Sequence, residues 1–175
     1  MSFSNLCVVD TNVPKVANLA MQPDPNSDVP DECVLACIEA IEHVIKKKGL
    51  VIDANDDIFD EYRRQLSMEG QPGVGDAFMK WVHDHRHSLP DCQRVQITKN
   101  GDSYNEFPVH EDLNDFDNSD RKFVAVSNAH PDKPAIFQAA DSKWWGWKDA
   151  LSQCGITVQF MCEGYIKTKY QEKMG

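Results

Sequence analysis

This chain of 175 residues has no excess of basic residues, no CxxC pair, no long apolar run and no phosphate-cradling glycine motif. Its charge leans the other way, with 18 Lys and Arg against 28 Asp and Glu, a formal −10. That balance speaks against a broad nucleic-acid-binding surface, which is usually basic. Charges interrupt every apolar stretch before the roughly 18 residues of a membrane span, so no membrane segment is expected. Met1 to Asn5 show neither the basic start nor the apolar continuation of a secretion signal, and a soluble, cytoplasmic protein is the expectation. The six cysteines are scattered (Cys7, Cys33, Cys37, Cys92, Cys154, Cys162), too sparse for a disulfide scaffold and without four evident zinc ligands. Cys33 and Cys37, four apart on an apolar helical stripe, are expected to serve packing. Gly70-Gln71-Pro72-Gly73-Val74-Gly75 lacks the GK[ST] ending of a phosphate loop, and neither a Ser/His/Asp elbow nor a nucleotide fingerprint occurs.

What is present is 41% apolar residues in periodic segments, enough for one core and hence one domain over residues 1–175. Leu6-Cys7-Val8-Val9 reads as a buried strand, as do Leu50-Val51-Ile52, the short Val95/Ile97 segment, Ala135-Ile136-Phe137 and Ile156 to Met161. Between them, Val34, Ile38, Ile41 and Ile45 keep helical spacing, with Asp31 and Glu32 at the start and Gly49 placed to cap the end. Asp56 or Asp57 is placed to cap a helix carrying Ile58, Phe59, Tyr62 and Leu66. A third helix turns Val74, Phe78, Trp81 and Val82 inward. Further helices are expected from Ser119 and over Ser142 to Cys154, while 99–118 reads as a long loop. The alternation predicts an α/β fold, a three-layer α/β/α sandwich around a central parallel sheet of about five strands.

In an open parallel sheet, ligands bind at the carboxyl ends of the strands. Asp10 ends the first strand, Glu61 lies on the helix after the second, Asp117 and Asp120 flank a helix start, and Asp141 follows a strand directly. Any one of these acids alone reads equally as a helix cap or a solvated charge. Gathered on one rim, they raise one another's pKa, a cost that divalent cations relieve. Hard oxygen ligands suit Mg²⁺ or Mn²⁺, and a pair of such ions supports phosphoryl chemistry.

The ordered set Val8-Val9-Asp10-Thr11-Asn12, Ile58-Phe59-Asp60-Glu61-Tyr62, Asp117 to Val126 and Ala140-Asp141-Ser142 resembles a PIN domain along nearly the whole chain. The resemblance implies a metal-dependent nuclease hydrolysing phosphodiester bonds, most often of single-stranded RNA, and leaving a 5′-phosphate and a 3′-hydroxyl. It implies that Asp10, Glu61, Asp120 and Asp141 hold Mg²⁺ or Mn²⁺, with Asp117 as an accessory acid. Thr11, Asn12 and Ser142 match positions that orient the first acid or contact substrate. The interval from Glu61 to Asp120 is longer than in compact members, an insertion around 67–118 that includes the Gly-rich loop and an acidic stretch. Glu39 competes as second acid but sits mid-helix with no preceding strand.

Arg63, Arg64, Arg121 and Lys122 are candidates to hold the nucleic-acid backbone by charge neutralisation. Acidity concentrates in 99–120, where seven acids face Lys99 alone, so a binding path can avoid it, and the stretch is expected to shield the cleft from arbitrary strands. His83 and His87, four apart, have no third ligand in view and read as a polar helix end. Of the tryptophans, Trp147 is expected in the core, and Trp144 or Trp145 against substrate. The rival reading is a catalytically weak PIN-like scaffold binding RNA or a protein partner or inhibitor; a homodimer is compatible with either. A strand ending in Asp10 also suggests a haloacid-dehalogenase-like phosphatase, but Asn12 stands where that class needs a second Asp.

Overall fold

Cys7, Val8 and Val9 are fully buried, as a strand apolar on both faces must be, and the rest of the fold is arranged around them. The computed structural model describes residues 2–67, 69 and 72–174; Met1, and Gly70 and Gln71 of the turn-rich segment, lie outside the described residues. Along the chain, β1 (Cys7–Val9) is followed by α1 (Asn12–Ala17), α2 (Asp31–Lys47), β2 (Ile52–Asp53), α3 (Asp57–Gln65) and α4 (Val74–His85). Three short strands come next, β3 (Arg94–Val95), β4 (Lys99–Asn100) and β5 (Ser103–Tyr104). The last part runs α5 (Arg121–Ala129), β6 (Ala135–Gln138), α6 (Lys143–Gln153), β7 (Val158–Phe160) and α7 (Glu163–Met174). Among the described residues no helix is long and apolar enough to cross a membrane.

The fold is α/β, but its sheet is smaller than the five strands expected. Three parallel strands form it, in the order β1-β6-β7, with Val9 opposite Phe137 and Phe137 opposite Gln159. β2 and β3 make a separate parallel pair, tied to β1 only through the bridge between Cys7 and Leu50. β2 is two residues long: Asp53 still pairs with Val95, and beyond it the chain turns into the next helix, which the Asp53 side chain caps. Its carboxylate accepts from the N–H groups of Asp57 (2.8 Å) and Ile58 (2.9 Å), so Asp56 holds the N-cap position as expected but the side-chain cap comes from Asp53. Asp53→Ala is expected to destabilise the chain by about 1–2 kcal/mol, the usual cost of a lost N-cap, measured as a lower midpoint in urea.

α5 packs against β1, β2 and β6 through fully buried Phe123, Val124 and Val126, while α1 packs against α2, α4 and β6. In α2 the deepest side chains are Cys37, Ile41 and Val44, with Ile38 and Ile45 half-buried. Lys48, not Gly49, takes the left-handed conformation after this helix (φ 52°). Gly49 is needed because a Cβ there would lie 1.7 Å from the Asn5 carbonyl oxygen.

Within the acidic stretch, β4 and β5 pair antiparallel across Gly101 (φ +61°) where a loop was expected. α7 was not anticipated: Ile166 is its only fully buried side chain among the described residues. It is held instead from its edges. The Tyr165 hydroxyl donates to Asp28 (2.7 Å), Lys169 pairs with Asp28, and the Tyr170 ring lies where Gly146 leaves room. Just before it, Cys162 is joined to Cys33 in a disulfide, Cα atoms 5.2 Å apart, so Cys33 does more than pack.

Candidate metal centre

Parallel pairing sets the location. From β1 the chain bridges to Leu50 on one side and pairs with β6 on the other, so the sheet order reverses between the ends of β1 and β6. Open sheets leave a crevice at such a point. Asp10 directly follows β1, and its N–H donates to the Phe137 carbonyl of β6 (3.0 Å). Asp141 follows β6 within three residues. Asp120 precedes α5, and Asp117 stands one turn earlier, at the start of the 3₁₀ turn Asn118–Asp120. α3 is brought over β1 by the Tyr62 hydroxyl, which donates to the Val9 carbonyl (2.6 Å), and this carries Glu61 to the same place.

Asp117, Asp120 and Asp141 each present a carboxylate oxygen within 4.8 Å of the others. Asp10 is deeper, only 2% exposed. Burial pushes its carboxyl well above the ordinary range, and the charges of Asp120, Glu61 and Asp141 push it further, against one Asn12 N–H at 2.9 Å. Asp120 is pushed up to about 6, first by burial and then by Asp141, with Glu61 and Asp117 adding. Asp141 is also raised, mainly by burial, despite the N–H of Lys143 donating to it at 3.1 Å. Four segments therefore bring their acids within electrostatic reach of one another.

The neighbours hold these acids in place. The Trp144 indole N–H donates to Asp120 (3.3 Å), and the ring is fully buried. Trp144 is thus a core residue that orients an acid, which corrects its expected exposure to substrate. Trp147 is only half-buried, its ring 4.3 Å from Phe116, and Trp145 is half-buried under Lys148. Lys143 donates to both oxygens of Asp117 (3.0 and 3.3 Å), which holds the ammonium in its charged form. Ser142 is buried, and its hydroxyl has no partner among the described residues. Asn12 serves through its backbone N–H, and Thr11 donates its hydroxyl to Glu61.

The expected cation set is placed differently. Lys122 is buried, with its ammonium 2.7 Å from Glu61, and so cannot lie along a nucleic-acid backbone. The Arg121 guanidinium donates to the carbonyls of Phe116 (3.1 Å) and Asn114 (3.0 Å) and to the Ser103 hydroxyl (3.1 Å), and it covers the Phe107 ring. It clamps the inserted segment. Arg63 pairs with Asp60 at 2.7 Å, Arg64 is exposed, and neither bonds to the five acids. Glu39 is exposed on α2, away from them. The helix α4 ends at His85, before His87, and His83 pairs with Asp84 (3.0 Å), in keeping with the polar helix end expected there. Reading the sequence passed over Lys143 as a site residue, although its position two after Asp141 was a signal. A groove of about 480 Å³ beside Trp145, Lys148 and Phe160 contains none of the acids.

Set against family models, curated proteins and solved structures, the chain matches none.

Proposed function

We propose that this protein is a PIN-like, divalent-cation-dependent nuclease that hydrolyses phosphodiester bonds of single-stranded RNA. The finer architecture belongs to the same reading: helices on both faces of the three-stranded sheet β1-β6-β7, a three-layer sandwich. The observation that carries it is the meeting of Asp117, Asp120 and Asp141 within 4.8 Å, beside the buried Asp10. The donor set fits Mg²⁺ or Mn²⁺, because it is built of hard carboxylate oxygens with no sulfur or imidazole among them. When bound, such an ion supplies Lewis-acid activation of water and neutralises charge at phosphorus.

The chain's own groups do the positioning. The Asn12 N–H fixes one oxygen of Asp10, the Trp144 N–H fixes Asp120, and the Lys143 N–H fixes Asp141. Lys143 and Lys173, whose charges both act on Asp141, form a basic edge on which a phosphate can rest. Removing charge from the acidic stretch, as in Asp102→Asn/Glu111→Gln/Asp112→Asn/Asp115→Asn, is expected to raise cleavage of arbitrary strands about threefold or more. These four side chains are exposed, so folding should be spared; unchanged or lower activity would refute the shielding role.

The direct test is incubation of the purified chain with labelled single-stranded RNA and DNA, with Mn²⁺ or with EDTA. Cleavage of RNA that needs the cation and leaves 5′-phosphate ends supports the reading. Stoichiometric Mn²⁺ binding without cleavage turns it into a non-cutting scaffold, and absence of both overturns it.

A further inference from the structure

The acids of this centre are not equivalent, because Glu61 already has a cation. Its Oε1 lies 2.7 Å from Nζ of Lys122, and its Oε2 accepts the Thr11 hydroxyl. The side chains of the pair are only 8% and 11% exposed. The Lys122 ammonium also donates to the carbonyl of Ser119, the residue before Asp120. No other acid of the cluster has such a partner: Asp117 meets the exposed Lys143, Asp120 an indole, and Asp10 a backbone N–H.

We propose that Lys122 is a built-in monovalent counter-ion of the acidic cluster, so that the centre takes one divalent cation through Asp117, Asp120 and Asp141. Glu61 is then a positioning residue. The inference rests on the metal-centre reading above and specifies its stoichiometry. Three physical points support it. Both Glu61 oxygens are engaged by buried donors, so a cation reaching them must strip away a hydrogen bond and a charge pair, whereas the Lys143 ammonium on both oxygens of Asp117 is exposed and can swing into water. Lys122 is 7% exposed, so a displaced ammonium has little water to move into, and an unpaired buried charge is strongly unfavourable. A dication and an ammonium on the same carboxylate repel each other where solvent screening is weak. The pair also links α3 to the start of α5, and through Ser119 it sets where Asp120 stands.

Titration of the full chain with Mn²⁺, read by electron paramagnetic resonance, separates the possibilities. The expected result is one Mn²⁺ per chain. Glu61→Gln strands the Lys122 charge beside the ion and should weaken binding about fivefold without changing the number of ions, while slowing RNA cleavage about tenfold. Asp141→Asn should weaken Mn²⁺ binding at least about tenfold. Lys122→Gln should take up a second ion. The double variant Glu61→Gln/Lys122→Gln buries no unpaired charge and should bind one ion, which keeps the test sound if Lys122→Gln fails to fold. Two ions in the wild type overturn the proposal, as does a loss of affinity in Glu61→Gln/Lys122→Gln equal to that in Asp141→Asn; in both cases the metal centre itself stands. Absence of Mn²⁺ from the wild type and all variants overturns the metal centre and this inference together.

Discussion

Asp120→Asn is expected to slow cation-dependent cleavage of RNA by about 10²–10³-fold, the loss typical when stabilisation of transition-state charge, here by the cation that Asp120 would hold, is weakened. The same substitution should raise the unfolding temperature of the cation-free chain. Asp120 is pushed up to about 6 by burial and by Asp141, so at neutral pH its charge is held against an opposing field. An amide of the same shape removes that repulsion and still accepts the Trp144 indole N–H. Opposite signs for activity and stability are what distinguish a working acid from a structural one. Rates on labelled RNA and thermal melts in EDTA measure the two effects. A variant that keeps its rate, or that loses both rate and stability, refutes the role given to Asp120.

The second large effect is in pH. In the unfolded chain Asp120 titrates near 3.8 and in the folded chain near 6, so between those values the folded state holds the extra proton. Stability is therefore greatest at the acid side of this window and is lost as pH rises through it. Asp10 and Asp141, both raised by burial, act in the same direction. Asp28, Asp76 and Asp84 are lowered, so their stabilisation is lost only as pH falls below the ordinary carboxylate range, outside this window. From Asp120 alone the loss is on the order of 2 kcal/mol. Thermal melts of the cation-free chain should show a higher midpoint at pH 5 than at pH 7.5. Millimolar Mn²⁺ should reverse the order, since the dication binds the ionised acids. Equal midpoints in EDTA would mean that neither burial nor mutual repulsion raises these carboxyls.

The α/β alternation was readable because β1, β6 and α5 carry apolar residues at unambiguous spacing. The acids Asp10, Asp120 and Asp141 were readable because each directly follows a strand or precedes a helix. What escaped was whatever depends on tertiary partners. α7 has a lysine- and glutamate-rich surface with little apolar signal, and it is held by Asp28, more than a hundred positions away. Lys122 looked like a solvent-facing cation, yet Glu61 on another helix draws it into the interior. Trp144 looked available to a base because it stands close behind Asp141 in sequence. In the fold its ring turns under the Phe116 edge (5.1 Å between centroids), and only its N–H reaches the cluster. The helix cap supplied by Asp53 has the same origin: its side chain reaches forward to the N–H groups of Asp57 and Ile58 while its backbone stays paired in β2, which apolar patterning does not register.

The contact between the Trp144 indole and Asp120 also wires a fluorophore to the centre. A cation drawing charge from that carboxylate alters the field along the indole, so ultraviolet emission should shift as the ion binds. Trp144→Phe should silence the signal while Trp81, Trp145 and Trp147 continue to emit, giving the chain an optical gauge of its own occupancy.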